Sequence, residues 1–106
     1  MTSQALELRV IVDPRIGDRR PVNVRACAWL PGEDPVPIVI EDLSSYDFRA
    51  SVPLALEERT MVRIGLPTGH LPHAMVARIG HDRVAFRFMS PIGAEALRAL
   101  TEDGLA

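Results

Sequence analysis

The chain has 106 residues, 47% hydrophobic and 25% charged, room for one domain with one core and too little for two. A formal charge of −2 argues against a general nucleic-acid binder, whose domains are usually basic. The single cysteine, Cys27, excludes an intrachain disulfide and a cysteine-based zinc site, and no apolar run approaches the ~20 residues of a spanning helix.

Met1 to Leu6 carry no basic cluster ahead of a long apolar run, so no secretory signal is expected and the reading is a cytoplasmic protein without membrane insertion. All twelve basic residues are arginine. Five of them fall in residues 9–25 against Asp13 and Asp18, whereas residues 31–58 hold seven acids against Arg49. A compact basic patch beside an acidic stretch suits a small anionic ligand better than a polymer backbone.

In chain order, Leu6, Leu8, Val10 and Val12 alternate like a strand, but nothing fixes a pairing partner, so residues 1–13 are read as an extension. Six period-two runs follow, the mark of half-buried strands. Their apolar positions are Val22, Val24, Ala26 and Ala28; Val36, Ile38 and Ile40; Phe48, Ala50 and Val52; Val62, Ile64 and Leu66; Met75, Ala77 and Ile79; and Val84, Phe86 and Phe88. Turn residues at 31–34, 44–47, 67–69 and 80–82 separate them. Short strands at this spacing predict an all-β domain, a six-stranded antiparallel barrel over residues 14–101. Ser90-Pro91 then reads as a helix start, with Ile92, Ala96, Leu97 and Leu100 on one face, Gly104 past the end and residues 102–106 a tail.

Catalytic motifs are missing from the sequence, and the domain is read as non-enzymatic. His70, His73 and His81 fall in or near predicted connections and read as solvated side chains, with no metal site expected. Cys27 reads as a packed thiol. Trp29 is either an anchor for a partner or a residue flanking the core. Two constellations remain. Arg15-Ile16-Gly17-Asp18-Arg19-Arg20 places arginines four apart ahead of the first strand, and their planar forks suit bidentate contact with phosphate or a guanine edge. Glu41 to Phe48 forms a hairpin corner whose Asp and Ser ordinarily bond nearby backbone amides, though a carboxylate there can equally accept guanine N1–H and N2–H.

Taken together, Arg-x-x-x-Arg before the first barrel strand and an Asp-x-Ser-x-x-Gly-like turn between the next two resemble the PilZ domain family. Val84-Ala85-Phe86-Arg87-Phe88, Pro91 and the closing helix also look like that family's last strand and tail. The resemblance implies a six-stranded barrel that binds the bacterial second messenger cyclic di-GMP and relays the signal to a protein partner. It assigns Arg15 and Arg19, with Arg20 adjacent, to the phosphates and guanine edges, and Asp42 and Ser44 to a guanine. Asp47 stands where the pattern has glycine. A carboxylate ~4 Å from a phosphate costs about 4 kcal/mol at an effective dielectric of about 20, while a micromolar complex is worth only about 8 kcal/mol. Asp47 therefore separates two readings: a working receptor, if its charge is paired or turned away, and a degenerate barrel serving as a protein-interaction module, if it faces the ligand.

Overall fold

The computed structural model describes residues 19–105. The extension 1–13 and Arg15 lie outside the described residues. Six strands follow the predicted runs: β1 (Arg20–Trp29), β2 (Val36–Leu43), β3 (Asp47–Ser51), β4 (Met61–Gly65), β5 (His73–Ile79) and β6 (Val84–Phe88). All pair antiparallel in the order β1-β2-β3-β6-β5-β4, and β4 returns to β1 to close a barrel.

The turns use the chemistry their sequences supply. Gly32 takes φ +75 behind Pro31, and Glu33 N donates to Leu30 O at 3.1 Å, the arrangement of a type II turn. Gly69, at φ +93, closes the three-residue loop of the β4–β5 hairpin, the left-handed position such loops require. Gly65 answers a different need. The Trp29 ring lies across it, so close that a Cβ would stand 2.5 Å from ring carbon Cζ3. Trp29 thus flanks the core, half-buried, and also borders an open groove.

Inside the barrel, Phe48 and Phe86 are cross-strand partners whose rings stack at 4.8 Å, with Phe88 tilted against Phe48 at 5.0 Å. Small inward residues, among them Ala26, Ala28, Ala50 and Ala74, leave room for these rings. The apolar face of β5 differs from the expected one. Ala74 and Val76 point inward, Met75 is half-buried, and Ala77 and Ile79 are exposed. Residues 74–77 are all apolar, so pattern alone leaves the phase open. Pairing settles it, because Ala74 and Val76 lie opposite the inward Phe88 and Phe86, and a register shift at Ala77 then turns the strand end outward.

The helix also departs from expectation. Helix α1 (Ala94–Leu105) begins about four residues later than Ser90 and includes Gly104 and most of the segment read as a tail. Residues 89–92 are bound elsewhere: Met89 N donates to His73 O and Ile92 N to Ser45 O, both at 2.9 Å. Only Gly93 O accepts the first intrahelical bond, from Leu97 N. The helix sets Leu100, fully buried, into the core, with Leu97 and Ile92 packed against it. Among the described residues no helix is long and apolar enough to cross a membrane.

Candidate ligand-binding site

Strict alternation from Ile38 and Ile40 would send Asp42 into the core. Instead the β2–β3 register shifts between Ile40 and Asp42. This bulge leaves Glu41 and Asp42 partly exposed in succession and returns Leu43, fully buried, to the interior. One extra residue therefore delivers the Asp42 carboxylate to the outer face. There it pairs with Arg49 of β3, Nη2 to Oδ2 at 2.6 Å, directly across the ladder. Glu41 is engaged by Arg83 at 2.6 Å and accepts the Ser51 hydroxyl at 2.6 Å.

The β2–β3 corner is built on Ser44. Ser44 N donates to Asp47 O at 2.9 Å, closing the turn. The hydroxyl accepts from Tyr46 N at 3.0 Å and from Asp47 N at 3.1 Å, and donates to Asp47 Oδ1 at 2.8 Å. Ser44 is fully buried, so its side chain is spent on the turn, as Ser in such corners ordinarily is. Further bonds pin the corner to the rest of the molecule: Phe88 N donates to Tyr46 O at 2.9 Å, alongside the bond from Ile92 to Ser45.

Asp47 meets the upstream arginines. Arg19 Nη2 donates to Asp47 Oδ2 at 2.9 Å, with side-chain exposures of 30% and 15%. Both Asp47 oxygens are thus committed, one to Ser44 and one to Arg19. Arg59 is the only non-glycine with positive φ among the described residues; Asp47 therefore sits without the left-handed backbone that would demand glycine. Arg19 and Arg49 each keep a buried Nε–H with no partner among the described residues. Arg20 begins β1 exposed, paired in register with Leu43. The structure thus brings Arg19, Asp42, Ser44 and Asp47 to one corner of the barrel, with Arg20 beside it.

Arg49 and Arg83, which hold the two acids of β2, read in the sequence only as outward strand positions; their roles depend on register. The histidines are all exposed, although His73 lies in β5 rather than a loop. His70 Nδ1 contacts the Thr68 hydroxyl at 2.7 Å and His73 Nε2 stands 3.2 Å from Arg63 Nη2. Among the described residues no three His, Cys, Asp or Glu side chains are grouped to hold a metal. Two open concavities, of ≈ 490 Å³ bordered by Trp29, Met61 and Leu71 and of ≈ 540 Å³ bordered by Leu71, Pro91 and Ile92, include no residue of the 42–47 corner.

Neither a protein-family model nor a curated protein sequence matches the chain. Solved structures do. The PilZ domain of YcgR from Escherichia coli with c-di-GMP superposes with a TM-score of 0.57 over 82% of this chain and 87% of that one, at 16% identity. The fold is PilZ-like. The Bacillus subtilis inhibitor of motility, MotI/DgrA, superposes with a TM-score of 0.62 at 14% identity over 83% of this chain. This chain spans about half the length of that protein, 47%. At such identities the shared property is the PilZ-like barrel, so the candidate site rests on this chain's own residues.

Proposed function

We propose that this PilZ-like domain is a non-enzymatic bacterial receptor for cyclic di-GMP that relays occupancy to a protein partner, in the cytoplasm and without a cofactor. One observation carries the reading: Arg19, from the segment before β1, reaches the β2–β3 corner at hydrogen-bond distance. Arginine four residues upstream, Arg15, and the adjacent Arg20 supply further guanidinium groups to the phosphates and guanine edges. Asp42, on the outer face through the β2 bulge, accepts guanine N1–H and N2–H. Ser44 acts by fixing the turn and the Asp47 carboxylate. Binding is an exchange: a ligand phosphate replaces Asp47 as the partner of Arg19, one charge-assisted bond for another. The upstream arginines then gather on the ligand, the conformational step that a partner reads.

Calorimetric titration with cyclic di-GMP, with GTP as control, tests this reading. Arg15→Ala and Arg19→Ala each weaken binding about ten- to a hundred-fold, the loss of charge-assisted contacts, and leave the melting temperature nearly unchanged. Unaltered affinity in both variants overturns the assignment.

A second reading is favoured by the same pairing. With Arg19 held by Asp47 and Asp42 by Arg49, the corner is charge-satisfied without ligand, as expected of a degenerate barrel acting as a protein-interaction module. Asp47→Gly separates the two. A sharp gain from an undetectable baseline favours degeneration; little change favours a competent receptor.

A further inference from the structure

The outer face of the barrel continues the corner along one row of the sheet. Asp47 stands directly opposite Arg87 of β6, Arg87 opposite Met75 of β5, and Met75 opposite Met61 of β4. Arg87 is exposed between the inward Phe86 and Phe88. Directly opposed side chains leave their strands ~5 Å apart, which places the stem of Arg87 beside that of Asp47. An ion pair between them is the ordinary expectation. Asp47 gives its oxygens to Ser44 and Arg19 instead, and Arg87 makes no ion pair among the described residues. On its other side the row is apolar, half-buried Met75 and then Met61. Arg87 is thus a second arginine beside the Arg19–Asp47 pair, and these three described side chains count two cations to one acid.

We propose that Arg87 is a further ligand-binding residue, holding a phosphodiester of the cyclic dinucleotide from the barrel face while Arg19 holds it from the upstream segment. This rests on the receptor reading. It also makes the acid at position 47 compatible with an anionic ligand: once the phosphate takes Arg19 from Asp47, Arg87, opposite Asp47 in register, offsets the charge of the released carboxylate. Arginine suits the role because its fork spans two phosphate oxygens, which a lysine ammonium meets only as a point charge.

Titration of the native chain, Arg87→Ala, Arg87→Lys and Arg98→Ala with cyclic di-GMP at low and high salt tests the assignment, with a thermal melt of each variant. Arg87→Ala weakens binding about ten- to a hundred-fold and flattens its salt dependence, because one fewer cation meets the ligand. Arg87→Lys falls between. Arg98, exposed on α1, is the control for general surface charge, and its removal leaves affinity unchanged. The proposal is overturned if Arg87→Ala binds like the native chain, or if Arg98→Ala loses as much. Failure of the native chain to bind overturns the receptor reading together with this one; native binding with an indifferent Arg87 overturns this one alone.

Discussion

Ser44 has no accessible surface, yet its hydroxyl takes part in three bonds that decide where a charge goes. A valine or alanine there would leave the amides of Tyr46 and Asp47 without their acceptor. Ser44→Ala is therefore expected to cost about 1–3 kcal/mol, the penalty of unsatisfied buried donors, measured as a lower urea midpoint. The same substitution frees Asp47 Oδ1 and loosens the alignment of Arg19. At this scale the sequence names half the answer. Asp42 and Ser44 are visible as Asp-x-Ser at a corner, and Arg19 as the second member of a spaced pair. What Asp47 does is not visible, because an acid at a turn can face ligand, solvent or arginine, and only the corner's three-dimensional closure with Arg19 selects among them.

Strands are legible as elements because their apolar residues alternate and their breaks carry Gly and Pro. Where alternation fails, it fails at bulges. The shift after Ile40 reverses the phase of Asp42, and the continuous apolar run at 74–77 hides the phase of β5 until Phe86 and Phe88 are placed opposite it. The start of α1 is likewise set by tertiary bonds, from Met89 to His73 and from Ile92 to Ser45, which compete successfully with the Ser90-Pro91 signal. One connection shows strain. Arg59 sits at φ 73 in the turn closed by Thr60 N to Glu57 O, and its amide donates to Val76 O at 2.7 Å. Left-handed backbone costs a residue with a Cβ about 1–2 kcal/mol, partly offset in glycine by its greater unfolded-state freedom. Arg59→Gly should raise the urea midpoint, by up to about 1 kcal/mol of stability, and Arg59→Val should lower it. Equal midpoints for the two variants would mean that the turn relaxes out of the left-handed region.

The whole molecule depends on one small core, with three phenylalanines at its middle. Phe86 is fully buried, stacks on Phe48 and lies opposite Val76 of β5. Phe86→Ala removes a ring that the rigid barrel cannot collapse to replace, at about 3–5 kcal/mol. Domains of this size have only about 5–15 kcal/mol in total, so the variant is expected to melt far below the native chain, or to be partly unfolded at 37 °C. A melt within a few degrees of native would show that the closed sheet can shrink.

Closure has another consequence. Because β4 pairs with β1 only at Cys27–Trp29, the one long strand edge left without a partner among the described residues is residues 20–26 of β1. A binding protein that adds a strand of its own, as many peptide-recognition domains allow, has only that edge to use. Away from that edge, a protein that reads this barrel must do so through side chains, loops or the helix. Its recognition there will be sensitive to individual surface substitutions, and main-chain pairing cannot rescue a poor match.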